Sequence, residues 1–182
     1  SRTVAIGMVC PGMEGRACRG CAERTPRGVD VTIGEPADAA EPAEPRYAEL
    51  EAFLERPAQD RMAFWQAELG RCVKCYACRQ ACALCYCERC LVDKNRPTTI
   101  DTSATAKGNF AWHIMRAFHL AGRCVGCDQC VRACPVGIDL RLLNLSLAKA
   151  AEEHFAFRAG EDPGAEPPLG SYSTGDKEDF IR

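Results

Sequence analysis

The 182-residue chain lacks any hydrophobic run that could cross a bilayer. Its most apolar helical stretch, residues 109–122, is interrupted by His113, Arg116 and His119, and falls far short of the ~20 lipid-compatible residues a span requires. It lacks an excess of charge as well: 25 Asp and Glu nearly cancel 23 Lys and Arg, so no global field draws in nucleic acid or anionic lipid. The first twenty residues contain no apolar signal-peptide core and already carry Cys10 and Cys18. No G-x-G-x-x-G loop for a dinucleotide and no P-loop is present. These absences lead to the expectation of a soluble, cytoplasmic chain with no nucleic-acid partner and no direct membrane insertion.

Cysteine is abundant, with fourteen residues in three groups. Cys10, Cys18 and Cys21 form the first. Cys72, Cys75, Cys78, Cys82, Cys85, Cys87 and Cys90 form the second, and Cys124, Cys127, Cys130 and Cys134 the third. In a reducing compartment, crowded cysteines bind metal more often than they form disulfides.

The third group, Cys124-Val-Gly-Cys127-Asp-Gln-Cys130-Val-Arg-Ala-Cys134-Pro135, reproduces C-x2-C-x2-C-x3-C-P without departure, the spacing of a [4Fe-4S] site. Two-residue gaps coil the chain around a cubane and present three thiolates to three irons. In two-cluster ferredoxins the fourth cysteine serves the neighbouring cluster. Cys72-Val-Lys-Cys75-Tyr-Ala-Cys78-Arg-Gln-Ala-Cys82 is a second copy, with Ala83 in the proline position. Reciprocal exchange then assigns Cys72, Cys75, Cys78 and Cys134 to cluster one, and Cys124, Cys127, Cys130 and Cys82 to cluster two. Zinc uses C-x2-C pairs but needs no third cysteine two residues on, and accounts poorly for two identical four-cysteine runs. Between Arg71 and Arg132 there are ten Lys/Arg against four Asp/Glu. That excess offsets anionic clusters, or else forms a basic face for an acidic partner.

The expected fold class is mostly α: an α-helical ferredoxin domain with two [4Fe-4S] clusters, preceded by a small irregular cysteine-bearing segment. The boundaries are 1–34 for the N-terminal cysteine segment, 35–45 for an acidic Pro/Ala/Glu linker, 46–158 for the dicluster domain and 159–182 for an extended tail. Within the domain, Tyr47, Leu50 and Leu54 recur at helical spacing, and Pro57 suits the first turn of a second helix ending near Gly70. Asn109 is expected to cap a helix with Phe110, Ile114, Ala117, Phe118 and Ala121 as its stripe, and Asp139 to cap one running from Leu140 to about Phe157. No strand is expected beyond 29–33. The three histidines are read as core or surface residues, Trp65, Trp112, Phe110 and Phe118 as packing, and Tyr76 and Val125 as shields for the clusters.

The long helical spacer between Cys82 and Cys124 resembles the α-helical ferredoxin domain of succinate dehydrogenase and fumarate reductase iron–sulfur subunits, and of the small heterodisulfide reductase subunit. The blocks RCVKCYACRQACALCYCERCLVDKNR (71–96) and HIMRAFHLAGRCVGCDQCVRACPVGIDLRLL (113–143) resemble ferredoxin-like dicluster subunits of heterodisulfide-reductase-like and flavin oxidoreductase complexes of anaerobes. Cys18-Arg-Gly-Cys21-Ala-Glu-Arg-Thr-Pro26 with the following Asp30-Val-Thr-Ile-Gly-Glu35 is similar to the N-terminal part of the β subunits of deazaflavin-dependent hydrogenases and dehydrogenases.

That resemblance, with six cysteines left over, implies a third [4Fe-4S] cluster. Cys10, Cys18 and Cys21 would supply three ligands and one of Cys85, Cys87 and Cys90 the fourth, with Cys87 chosen. The competing expectation is a structural zinc on Cys18, Cys21 and two of the Cys85–Cys90 group. The implied function is an electron-transfer subunit without catalytic residues. It would relay single electrons between a flavoprotein or dehydrogenase module and a heterodisulfide-reductase-like, hydrogenase or formate dehydrogenase module. A fragment of a catalytic β-type subunit whose flavin domain lies elsewhere, and a zinc-binding interaction module, are the alternatives.

Overall fold

The computed structural model describes residues 4–6, 16–20, 29–33, 44–88, 90–93, 96–98, 100–162, 164–168, 170 and 174–175. Most of the expected acidic linker, Cys10, Cys21 and the side chain of Cys18 lie outside the described residues. The chain divides into two compact units, residues 1–52 and 53–182, so that residues 46–52 fall in the first.

In the first unit, β1 (Val4–Ile6) pairs in parallel with β2 (Val31–Ile33), Val4 opposite Val31 and Ile6 opposite Ile33. β1 was not anticipated; three residues are too few for period-two alternation to be visible. Cys18 lies in α1 (Arg16–Arg19). The Arg16 Nε donates to both carboxylate oxygens of Glu49, at 2.9 and 2.7 Å. Glu49 belongs to the first turn of α2 (Ala48–Leu54).

The second unit is helical. α3 (Ala58–Gly70) begins directly after Pro57, whose φ of −52° suits that position. Phe53 meets Phe64 and Trp65 with ring centroids 5.1 and 5.7 Å apart. α3 packs on α5 (Ala106–Leu120), and α5 packs on α7 (Leu140–Phe155). Between them, the short helices α4 (Ala77–Gln80) and α6 (Gln129–Arg132) meet each other. The core joins Leu69, Cys78, Val92, Trp112, Cys130, Ile138 and Leu140. No described helix is long and apolar enough to cross a membrane.

The capping residues differ in one place from expectation. Asp139 does cap α7, accepting from the Leu142 N–H at 3.3 Å. α5 starts four residues earlier than expected, with Thr105 as its cap; the Thr105 Oγ1 accepts from Gly108 N at 3.1 Å. Gly108 makes this possible, because a Cβ there would stand 2.3 Å from Ser103 O. Asn109 is instead buried. The buried face of α5 is Asn109, Trp112, His113, Arg116, Ala117 and Leu120, whereas Phe118, placed in the expected stripe, is 54% exposed. Apolarity alone placed Phe110 and Ala117 correctly but missed the polar part of the inner face, Asn109, His113 and Arg116, which borders the cysteines. Thr105→Ala should lower the denaturation midpoint of the anaerobic protein by the equivalent of about 1 kcal/mol, the usual worth of such a cap. An unchanged midpoint would mean that the start of α5 is held by packing alone.

Candidate metal centres

Both cysteine motifs adopt the same backbone course. In the first, Lys74 and Tyr76 have positive φ, 59° each; in the second, Gly126 and Asp128 stand at the matching positions with 74° and 68°. Left-handed residues at alternate positions turn successive N–H groups toward one side, a concavity that receives anions. The Lys74 N–H donates to Cys72 Sγ at 3.4 Å, and the Gly126 N–H makes the corresponding bond to Cys124. At Gly126 a side chain would be strained twice, by φ and by Leu145 Cδ2 lying 3.1 Å from a Cβ.

α4 and α6 then carry Cys78 and Cys130 into the core, and Cys82 and Cys134 follow just beyond the two helix ends. Because these helices pack on each other, each motif's last cysteine crosses to the other's cavity. One cavity, about 350 Å³ including its mouth, is lined by Cys72, Cys75, Cys78 and Cys134. A second, about 380 Å³, is lined by Cys82, Cys124, Cys127 and Cys130. Tyr76 lines the first and Val125 the second. The tail after Gly160 turns back over the second motif, for a Cβ at Gly160 would lie 3.3 Å from Val125 Cγ1, and one at Gly122 3.0 Å from Pro168 Cδ.

Several side chains hold this arrangement. Arg71 donates to Val136 O at 2.8 Å, tying the segment after Cys134 to the start of the first motif. The Ile138 N–H donates to Cys134 Sγ at 3.4 Å. Asn109 Nδ2 donates to Cys72 O at 2.7 Å, and Asn144 Nδ2 approaches Cys130 Sγ at 3.7 Å. Arg141 Nε donates to Gly126 O at 3.3 Å and faces Asp128 at 3.6 Å.

Arg116 is the least expected of them. It is only 6% exposed and donates through Nη2 to Cys78 O at 3.0 Å. Burial works against its charge, but the neighbouring sulfurs of Cys85, Cys78, Cys130 and Cys82 outweigh burial and hold its pKa above the ordinary value. Arg116 therefore stays cationic between the two cysteine sets. The sequence did hold a signal for it. Asn109, His113, Arg116 and Leu120 recur at three- and four-residue spacing on an otherwise apolar helix, which marks a polar buried stripe.

The thiols respond to burial and to each other. Burial pushes Cys78 up, and Cys130 to about 12. The Cys82 thiol is held down to about 5, first by a hydrogen bond from Cys85; Cys85, as donor, is pushed up. His113, 2% exposed, is held down to about 4 by burial and by the Arg116 and Lys74 charges, so its imidazole is neutral at pH 7.

Both ring nitrogens of His113 and the indole Nε1 of Trp112 have no hydrogen-bond partner among the described residues. Both side chains line the first cavity. Buried N–H groups without acceptors are rare in folded proteins, and sulfide or thiolate would be a suitable acceptor. Four thiols around an apolar-walled cavity, with N–H donors directed at sulfur, fit a [4Fe-4S] cluster.

Comparison with known proteins agrees with this chemistry. Residues 120–138 match the 4Fe-4S binding domain. The chain is also similar to an F420-dependent formate dehydrogenase subunit beta of Methanocaldococcus jannaschii, at 30% identity over 106 residues, 58% of this chain and 27% of the relative. An F420-dependent formate dehydrogenase 1 subunit beta of Methanococcus maripaludis is 29% identical over 106 residues, again 58% of this chain and 27% of the relative. The chain thus spans about a quarter of the length of these relatives. It carries a 4Fe-4S domain in a mostly helical fold, and its similarity is to β subunits of dehydrogenase complexes.

Proposed function

We propose that this chain is an iron–sulfur electron-transfer subunit that holds two [4Fe-4S] clusters, one on Cys72, Cys75, Cys78 and Cys134 and the other on Cys82, Cys124, Cys127 and Cys130. The observation that carries the reading is the composition of the two cavities, each lined by three cysteines of one motif and the last cysteine of the other. Clusters of this type accept and release one electron at a time. The chain's own groups fix their spacing, keep water from their apolar faces and donate N–H groups to sulfur, all of which set potential.

The partners follow from the same reading. A flavoprotein or dehydrogenase subunit meets one end of the relay, and a formate dehydrogenase, hydrogenase or heterodisulfide-reductase-like subunit the other. The formate dehydrogenase choice is favoured by the names of the two relatives. The half-exposed Val125 and the exposed Val73, Cys75 and Cys127 give each cluster an edge toward a partner.

Anaerobically purified protein is expected to contain at least about eight irons with matching sulfide, and to show spin–spin interaction in EPR after dithionite reduction. Zinc in place of iron would overturn the reading.

A further inference from the structure

Eight described cysteines line the two cavities above, and Cys85, Cys87 and Cys90 line another between α4 and α5, about 450 Å³ including its mouth. We infer that this cavity is a further metal site, a third [4Fe-4S] cluster held by the thiolates of Cys85, Cys87 and Cys90 with the His119 imidazole as fourth ligand. The inference rests on the two-cluster reading only for its position beside those clusters.

The donor chemistry is the first support. Cys85-Tyr-Cys87-Glu-Arg-Cys90 supplies three thiols that line the cavity, and His119, on α5, lines it too. Among the described residues no three His, Cys, Asp or Glu side chains are gathered tightly enough for a single ion. A cubane spreads its ligands over a volume such as this cavity, whereas tetrahedral zinc draws its sulfurs around a point.

The second support is independent of the thiols. Arg116 and Trp112, 6% and 2% exposed, both line this cavity. Neither Arg116 Nε nor Trp112 Nε1 has a hydrogen-bond partner among the described residues. Arg116 Nε is thus a buried donor without an acceptor bordering the space that cluster sulfur would fill, while the single Trp112 N–H borders the first cavity as well. Charge agrees, since Arg79, Arg116 and Arg123 line the same cavity and Arg123 Nη1 reaches Cys87 Sγ at 3.9 Å. Arg79 is ion-paired with Asp93, which leaves the Arg116 and Arg123 guanidiniums to offset an anionic thiolate-ligated centre.

Position gives the site its use. Leu84 and Leu120 line both this cavity and the second one, and Trp112 lines both this cavity and the first. Shared lining residues place it next to both. This ligand set uses none of Cys10, Cys18 and Cys21, and so replaces the set implied by resemblance, in which those three act with Cys87.

Iron, sulfide and zinc analysis of the full chain decides it, together with pulsed EPR of the reduced protein. The parent is expected to hold about twelve irons and to show nitrogen hyperfine coupling at one cluster. Cys85→Ala and Cys90→Ala should each fall to about eight irons while the spin-coupled signal of the remaining pair persists. His119→Gln should lose the nitrogen coupling, and Cys18→Ala and Cys21→Ala should keep all their iron. Eight irons in the parent, one zinc per chain, or loss of about four irons from Cys18→Ala would each overturn the inference. So would the absence of nitrogen coupling in the parent, whether or not the cysteine variants fold. Failure of the two-cluster reading registers separately, as Cys124→Ala retaining every iron.

Discussion

Cys134→Ala is expected to remove about four irons, and the cluster it removes is the one bordered by the other motif. Cys134 lines a cavity with Cys72, Cys75 and Cys78, although it follows Cys130 in sequence. Paired substitutions test this without identifying either cluster by its spectrum. Cys134→Ala combined with Cys72→Ala should cost no more iron than either alone, because both changes strike one cluster. Cys134→Ala combined with Cys124→Ala should cost about eight irons, because the two strike different ones. The logic is that of a double-mutant cycle, in which changes at one unit fail to add and changes at separate units do. If each motif serves its own cluster, the two results exchange places, and the reciprocal arrangement is wrong.

Arg116→Gln should lower the potentials of the adjoining clusters while leaving iron in place. A buried cation favours electron uptake, and removing it disfavours the more negative reduced state. At an effective dielectric constant of about 20, one charge at several ångströms is worth roughly 2–4 kcal/mol, which for a one-electron couple is on the order of 100 mV. Gln retains a donor for Cys78 O, so the variant separates charge from the 3.0 Å bond that Arg116 makes there. Arg116→Lys should recover most of the potential, since it restores charge without the planar fork. Redox titration followed by EPR reads both. Potentials that stay put in Arg116→Gln with full iron content would show that the guanidinium serves only to hold α4 against α5.

The residues that bear the chemistry were legible before the fold. Two runs of C-x2-C-x2-C-x3-C declared the cofactor type, because thiolates must reach several irons from one coil of chain and only a narrow set of spacings allows it. Composition and periodicity indicated a mostly helical domain, and the caps at Pro57 and Asp139 were readable because capping is local chemistry. Helix α5 shows where local reading fails. Its apolar residues pointed to a stripe in which Phe110 and Ala117 do pack inward but Phe118 does not, and the buried side also carries Asn109, His113 and Arg116. A polar side chain is worth burying only where thiols and backbone carbonyls from distant segments await it, and those neighbours are invisible along the chain.

Sequence by itself marked eight cysteines in two motifs as the candidate cluster ligands. Motif logic also anticipated how they are shared; tertiary structure supplied the packing that brings the shared cysteines together. Packing of α4 on α6 sends Cys82 and Cys134 across to opposite cavities, and α5 places Arg116 among Cys78, Cys82, Cys85 and Cys130. It also brings His119, which reads from the sequence as a core or surface histidine, to the cavity of Cys85, Cys87 and Cys90. Spacing along a chain fixes what one coil can wrap; which coils face one another follows from buried contacts between helices far apart in sequence.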